Sequence, residues 1–376
     1  MKVAVIFGTR PEAIKLAPII KELEKNGFLD VTVISTGQHK EMLEPILEWF
    51  EISPDYDLEL MKPNQTLSSL SALCIERLEV VLNKISPDLL ITQGDTTTAF
   101  ISSLVAFYNK IKVAHVEAGL RTYNNLSPWP EEVNRNLISK IADFHFAPTD
   151  NNKNNLLQEN VTKEKVFVTG NTVIDALLFS AEKVTKENIY PEELEAFFTG
   201  GLKEKKLVLI TGHRRENFGK GFIGISEAIR ALANSNPNVY FIYPLHLNPN
   251  VQETVREYLS DLENVKLIKP LGYPEFISAM KRSTLILTDS GGVQEEGPGL
   301  GKPILVMRDN TERPEALKHG TVKLVGTNKS NIINAVQELL SNKEIYDKMA
   351  NAVNPYGDGT AAKQIVSILQ EKKNLV

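Results

Sequence analysis

The chain has 376 residues, 42 Lys+Arg against 47 Asp+Glu, and a formal net charge of -5. Set against a typical domain of roughly 150 residues, that length favours two domains. With 42% hydrophobic and 24% charged residues, each half can close a core, which argues against disorder, and the mild negative charge offers no bulk attraction for nucleic acid. The single cysteine, Cys74, excludes an intrachain disulfide and any multi-cysteine metal site, and its apolar neighbours make it a core residue. Val3–Phe7 is too short for a signal-peptide core, and no segment approaches the roughly 20 apolar residues of a membrane helix. A cytoplasmic protein without membrane insertion is expected.

Short β-branched runs alternate with amphipathic segments along the chain. Val3–Phe7, Val31–Thr36, Leu89–Thr92, Val113–Glu117, Phe144–Ala147 and Lys165–Thr169 read as strands, with helices predicted near 11–25, 39–49, 66–84, 97–109, 131–142 and 151–159. Nearly continuous apolar strands separated by helices predict parallel pairing through right-handed crossovers. From Ala181 to Lys206 the chain is charged and reads as a helical connector ending in a turn at Gly200-Gly201. The alternation restarts with strands Leu207–Thr211, Val239–Pro244, Val265–Ile268, Leu285–Thr288, Pro303–Val306 and Thr321–Val325. Helices are predicted near 222–234, 249–261, 274–282, 292–300, 329–341 and 345–352. The expected organisation is an α/β domain over 1–170, a connector over 171–205, a second α/β domain over 206–355, and a helix in 356–376 that packs back on the first domain.

Chemistry-bearing residues collect after the strands, where open α/β sheets bind ligands. Gly8-Thr9-Arg10-Pro11-Glu12 leads from the first strand into a helix and brings Arg10 and Lys15 towards that edge. Asp95 follows the Leu89–Thr92 strand, where it could cap a helix or aim a carboxylate at a ligand. Strand periodicity places His115 and Glu117 on one face, an odd pair to bury without a role or an ion partner, for which Arg121 is a candidate. Glu131 and Glu132 follow Pro130 in a helical first turn, a pattern that also suits ordinary dipole capping. Three successive loops thus deliver carboxylates to one sheet edge.

In the second half, His213-Arg214-Arg215 follows a strand and suits phosphoryl oxygens. Gly219-Lys220-Gly221-Phe222-Ile223-Gly224 formally matches a dinucleotide fingerprint, but it starts well beyond the strand end and no acidic residue closes the next strand; we reject that reading. Asp289-Ser290-Gly291-Gly292 leaves a strand and enters a helix whose free amides would face a phosphate. Glu296, one turn in, suits the two hydroxyls of a ribose, and Arg313 could add a charge-assisted phosphate contact. These features look like a nucleoside-diphosphate site without a P-loop. No H-x-x-x-H pair occurs, so no metal site is expected.

Together, Phe7-Gly8-Thr9-Arg10-Pro11-Glu12, Gln93-Gly94-Asp95-Thr96, His115-Val116-Glu117-Ala118-Gly119-Leu120-Arg121, Pro130-Glu131-Glu132-Val133-Asn134-Arg135, Gly212-His213-Arg214-Arg215-Glu216-Asn217 and Asp289-Ser290-Gly291-Gly292-Val293-Gln294-Glu295-Glu296 resemble the bacterial non-hydrolysing UDP-N-acetylglucosamine 2-epimerases over essentially the whole chain. The resemblance implies a glycosyltransferase-B-like fold of two Rossmann-like domains facing across a cleft, a homodimer, and no cofactor. It implies reversible conversion of UDP-N-acetylglucosamine to UDP-N-acetylmannosamine, feeding surface-polysaccharide or teichoic-acid synthesis. Catalytic roles transfer to Asp95, Glu117, Glu131, His213 and Lys15. UDP binding transfers to Arg10, His213, Ser290, Gly291, Gly292, Glu296 and Arg313. A regulatory substrate site would involve Gln38, His39, Arg214 and His246, although Lys40 and Pro45 stand where Arg and Gln are common.

Chemistry constrains that implied reaction. The C2 proton of the sugar is not alpha to a carbonyl, so direct deprotonation faces a very high barrier. Loss of UDP from C1 acidifies C2–H, and anti elimination gives 2-acetamidoglucal, to which UDP adds back after protonation of the opposite face. This needs a base, an acid and stabilised pyrophosphate, and neither nicotinamide nor metal. A glycosyltransferase, a hydrolysing epimerase and a non-catalytic nucleotide-sugar sensor are the alternatives.

Overall fold

The computed structural model describes residues 1–25, 27, 30–37, 40–62 and 64–372. Its backbone contacts divide the chain into two units, Met1–Ala176 together with the segment from Tyr356 on, and Leu177–Pro355.

In chain order the first unit holds β1 (Lys2–Phe7), α1 (Arg10–Lys25), β2 (Asp30–Ser35), α2 (Lys40–Phe50), β3 (Tyr56–Asp57), α3 (Leu67–Ile85), β4 (Leu89–Gln93) and α4 (Thr97–Tyr108). It continues through β5 (Lys112–Val116), α5 (Glu131–Ile141), β6 (Phe144–Ala147), α6 (Asp150–Gln158) and β7 (Val166–Val168) to α7 (Thr172–Lys186), which runs on past the unit's boundary. All strands pair in parallel in the order β3-β2-β1-β4-β5-β6-β7. The order reverses direction between β1 and β4, so the loops after these two strands lie side by side at the position where such sheets bind ligands. β1 is buried from Val3 to Phe7, as a central parallel strand with helices on both faces must be.

One core of this unit joins Ala4 and Ile6 of β1, Leu90 of β4, Cys74, Leu78 and Leu82 of α3, and Val105 of α4. Each large apolar side chain fully buried there contributes about 1.5–3 kcal/mol. Burial pushes the Cys74 thiol up to about 12, so this cysteine is an inert packing residue.

The second unit contains α8 (Glu195–Phe198), β8 (Lys206–Thr211), α9 (Lys220–Ser235), β9 (Val239–Pro244), α10 (Pro249–Leu259), β10 (Val265–Ile268) and α11 (Tyr273–Arg282). It then holds β11 (Leu285–Thr288), α12 (Gly291–Gly299), β12 (Ile304–Val306), α13 (Pro314–His319), β13 (Val322–Leu324), α14 (Lys329–Ser341) and α15 (Lys343–Ala350). Its parallel sheet has the order β10-β9-β8-β11-β12-β13, with the reversal between β8 and β11. The last helix, α16 (Ala361–Glu371), belongs to the first unit and packs on α1. Its start is held by Asp175, whose Oδ1 accepts from the Ala362 amide at 2.9 Å. Burial raises the Asp175 carboxyl to about 6.

Some predicted boundaries change. β3 is a two-residue edge strand, too short to show an alternating pattern, and α13 is a six-residue helix within what reads as loop. The helix placed after Ala181 starts at Thr172. The Gly219–Gly224 segment serves packing. Gly219 (φ +74°) precedes α9, and a Cβ on Gly224 would lie 2.5 Å from the Thr327 carbonyl oxygen, so glycine lets the helix sit against that turn.

Candidate active site

In the first unit the loop after β1 is held by its own helix. Thr9-Arg10-Pro11-Glu12 has capping-box spacing, and Glu12 Oε2 accepts from the amides of Thr9 (2.8 Å) and Gly8 (3.1 Å) and from the Thr9 hydroxyl (2.7 Å). Arg10 opens α1 and is partly exposed. One turn further on, Lys15 Nζ lies 2.5 Å from Glu117 Oε2, an oxygen that also accepts from the Gln93 side-chain amide at the end of β4.

The expectation for Glu117 needs correction. β5 stops at Val116, and Glu117 adopts φ +64°, a left-handed turn that takes it off the strand, so strand periodicity does not apply to it. Arg121 is not its partner. Both ends of that guanidinium grip Glu159, at 2.7 Å each, because the turn at Gly119 (φ +90°) carries the chain towards α6. His115 is fully buried, and its Nε2 donates to the Gly94 carbonyl at 2.7 Å. A carbonyl can only accept, so the ring is the neutral Nε2–H tautomer, and burial pushes its pKa down to about 4.

Asp95 does not cap α4; the Thr96 hydroxyl does, accepting from the Ala99 amide at 3.0 Å. The Asp95 carboxylate instead lies 2.5 Å from Arg135 Nη2, and its carbonyl accepts from the Asn134 side chain at 2.9 Å. Arg135 also pairs with Glu132 at 2.9 Å. Glu132, wholly buried, accepts from the amides of Thr122 and Tyr123 and so ties down the loop before α5. Glu131 is the first residue of α5 and partly exposed. Glu117 and Asp95 thus each face a cation; the Glu117 carboxylate and the Asp95 backbone carbonyl each also accept a hydrogen bond from a side-chain amide.

In the second unit, Asp289 organises the loop after β8. Its Oδ2 accepts from the amides of His213 (2.9 Å) and Arg214 (2.8 Å) and from the Asn217 side chain (3.2 Å). Its Oδ1 lies 3.3 Å from His213 Nδ1, which leaves Nε2 on the outward side of the ring. Burial lowers the His213 pKa, and the Asp289 carboxylate opposes that shift. His246 stacks on His213 with ring centres 5.5 Å apart.

Ser290 precedes α12 without a side-chain capping bond, so its hydroxyl is not spent on the helix. Two guanidinium groups flank the next residue: a Cβ on Gly291 would lie 3.4 Å from Arg313 and 3.5 Å from Arg214. Arg313 is aimed by Glu295, whose Oε1 accepts from its Nε at 2.7 Å. A Cβ on Gly292 would be 3.7 Å from Glu296 Oε2. The second unit therefore brings His213, Arg214, Ser290, Gly291, Gly292, Glu296 and Arg313 to one helix N-terminus, whose amides and dipole favour an anion.

Gln38 and His39 lie outside the described residues. Among the described residues no group of three or more His, Cys, Asp or Glu side chains could hold a metal, and no helix is long and apolar enough to cross a membrane. The sequence reading gave no holding role to Glu12, Gln93, Asn134, Arg135 and Asp289, and took Glu132 only as a candidate for dipole capping. Only Glu12 left a local signal, the Thr9-x-x-Glu12 spacing; the others act through contacts that the fold creates.

Two parallel-sheet α/β units, each with a reversal of strand order, define a glycosyltransferase-B-like α/β protein. A glycosyltransferase structure from Rickettsia africae, only 14% identical, shares that fold with a TM-score of 0.63 over 98% of both chains. Closer matches narrow the class. The family model described as UDP-N-acetylglucosamine 2-epimerase matches residues 21–370. The UDP-N-acetylglucosamine 2-epimerase of Campylobacter jejuni is 50% identical, covering 99% of this chain and 98% of its own. A crystal structure of the Neisseria meningitidis UDP-GlcNAc 2-epimerase bound to UDP-GlcNAc is 52% identical, with a TM-score of 0.88 over 99% of this chain and 100% of that one. The Methanocaldococcus jannaschii enzyme in complex with UDP-GlcNAc and UDP is 39% identical, with a TM-score of 0.78 over 99% and 100%. This chain belongs to the UDP-N-acetylglucosamine 2-epimerase family and is an epimerase.

Proposed function

We propose that the protein interconverts UDP-N-acetylglucosamine and UDP-N-acetylmannosamine by eliminating and re-adding UDP. The observation that carries this reading is the division of chemistry: two cation-backed carboxylates on the first unit, and a cation-flanked helix N-terminus on the second. A carboxylate of the first unit removes the C2 proton while the C1–O bond to UDP breaks, giving 2-acetamidoglucal and UDP. A protonated acid then returns a proton to the opposite face of C2, and the UDP oxygen re-forms the bond to C1. Asp95, Glu117 and Glu131 form the acid–base pool, with Lys15 paired to Glu117 at 2.5 Å. Arg10, His213, Ser290, the amides at Gly291 and Gly292, and Arg313 stabilise the departing diphosphate, and Glu296 takes the ribose hydroxyls.

Incubation with UDP-N-acetylglucosamine in deuterated water tests the reading. Deuterium at C2 of both epimers, with no net UDP release, is the expected result. Epimers without C2 deuterium would sink the elimination route. Free N-acetylmannosamine would mark a hydrolysing enzyme, and acceptor-dependent loss of the sugar a transferase.

The homodimer is part of the same proposal, supported by the exposed apolar side chains Val80 on α3 and Phe107 and Tyr108 at the end of the adjoining α4. Sedimentation at the mass of one chain would refute it. The regulatory role of Gln38, His39, Arg214 and His246 also belongs here, and sigmoidal dependence of rate on substrate is its expected sign.

A further inference from the structure

Glu12 is 1% exposed, and both of its carboxylate oxygens are engaged. Oε2 serves its own helix by accepting from Gly8, Thr9 and the Thr9 hydroxyl, as a glutamate at this helix position ordinarily does. Oε1 does something a cap does not require. It accepts from the Thr96 hydroxyl at 2.6 Å, across the strand reversal from β1 to β4. Thr96 is itself the cap of α4 and follows Asp95 directly. One buried carboxylate therefore joins the start of the helix that carries Arg10 to the start of the helix next to Asp95.

We propose that Glu12 is a positioning residue that locks the Asp95 loop to the Arg10 loop through Thr96, fixing where the Asp95 carboxylate stands. The proposal rests on the reading that Asp95 moves protons at C2 and Arg10 binds the diphosphate. Four further contacts hold the same loop: the Gly94 amide to the Val116 carbonyl at 3.0 Å, His115 to the Gly94 carbonyl, Asn134 to the Asp95 carbonyl, and Arg135 to the Asp95 carboxylate at 2.5 Å. The first three act on backbone atoms at Gly94 and Asp95, and the Arg135 pair holds the carboxylate from α5. Among the described residues the Glu12–Thr96 bond ties the loop to the neighbouring Arg10 loop, so its loss lets the loop shift against Arg10 without unfolding the turn. An ångström of misplacement at a reacting group costs on the order of 100-fold in rate.

The test uses the full-length protein, C2 deuterium exchange at saturating UDP-N-acetylglucosamine, UDP affinity by calorimetry, and Tm. Thr96→Val is expected to slow exchange roughly 10–100-fold while leaving UDP affinity within about threefold, since Oε2 still holds the Arg10 loop. Thr96→Ser keeps the hydroxyl and is expected to restore exchange to within about threefold. Thr96→Asp keeps a good cap on α4 but replaces the donor with a like charge, so it should be as slow as Thr96→Val. Asn342→Ala removes the cap of α15 in the second unit and should lower Tm without slowing exchange, which separates lost capping from lost positioning. Exchange within threefold of the parent in Thr96→Val and Thr96→Asp overturns the proposal, as does equal loss in Thr96→Ser. Asp95→Asn keeps the two failures apart. If it exchanges at the parental rate, the role of Asp95 is wrong; if it is dead while Thr96→Val and Thr96→Asp are unimpaired, only the Glu12 link is.

Discussion

The two units place their candidate site groups at the same topological position, beside the reversal of strand order, yet hold them differently. In the first unit side chains from two helices and two strands converge on two acids: Lys15, Gln93, Arg135, Asn134, His115 and Glu12 each reach Glu117, Asp95 or their loops. In the second unit one buried acid, Asp289, sets one loop, and a helix N-terminus with two flanking guanidinium groups does the rest. Proton transfer needs an atom placed to a fraction of an ångström, whereas a diphosphate with several charged oxygens tolerates a softer cradle. The density of holding contacts follows that demand.

The largest expected effect lies in the first unit. Asp95→Asn keeps shape and a hydrogen-bonding side chain but loses the proton-accepting charge. C2 exchange should fall by about 100- to 10,000-fold, with UDP affinity within a few fold of the parent, by exchange spectroscopy and calorimetry. A parallel loss of UDP binding would erase the division between the units.

The counterpart is Arg313→Ala. Removing a charge-assisted contact of about 1.5–3 kcal/mol should weaken UDP binding roughly 10–100-fold, with a smaller effect on C2 exchange once substrate saturates. Glu295 would then lose the cation at 2.7 Å from its carboxylate, so Glu295→Gln in the same background should recover part of the affinity. If Arg313→Ala slows exchange at saturation as severely as Asp95→Asn, the second unit contributes more than binding.

Gly224→Ala separates structural from ligand-facing glycines within the second unit. Its added Cβ meets a backbone oxygen, which cannot rotate away, so destabilisation of about 1–3 kcal/mol is expected in urea unfolding. UDP affinity should stay unchanged. Weakened UDP binding at native protein concentration would mean that the Gly219–Gly224 segment touches the nucleotide.

The legibility of this molecule in its sequence follows the same contrast. Long parallel strands such as Val3–Phe7 and Val239–Pro244 declare themselves because burial on both faces demands unbroken apolar runs. The candidate site loops were readable because glycine, proline and charge cluster after those strands. What stayed hidden was pairing. Periodicity extended β5 through Glu117 because a left-handed turn leaves no mark on an apolar-polar pattern. Arg121 was offered as a partner for being near in sequence, while the fold delivers Lys15 from 102 positions away. Edge strand β3 and helix α13 are too short to carry a period.

The gentlest expected effect concerns the first unit's interior and is invisible at neutral pH. His115 and His145 face each other in register on β5 and β6, both buried, with pKa values pushed down to about 4 and about 3 from an ordinary 6.5. Below 6.5 the unfolded chain binds these protons and the folded one does not, so stability declines as pH falls from about 6.5 towards 3, by up to about 1.4 kcal/mol per pH unit for each ring. Asp175 opposes this over part of the range, because its raised carboxyl takes up a proton in the folded state first. The clean measurement is therefore a difference. His145→Gln, compared with the parent in urea titrations from pH 7.5 to pH 4, should show a stability offset that is constant above about 6.5 and shifts in favour of the variant as acid is added. Glu312→Gln, in the second unit, should shift in the same sense but only at lower pH. That carboxyl is held down to about 2 beside Arg308, so its contribution is intact above about 4.5 and fades only as pH falls from there towards 2. An offset for His145→Gln that stays flat to pH 4 would mean that burial does not hold this ring neutral in the folded first unit.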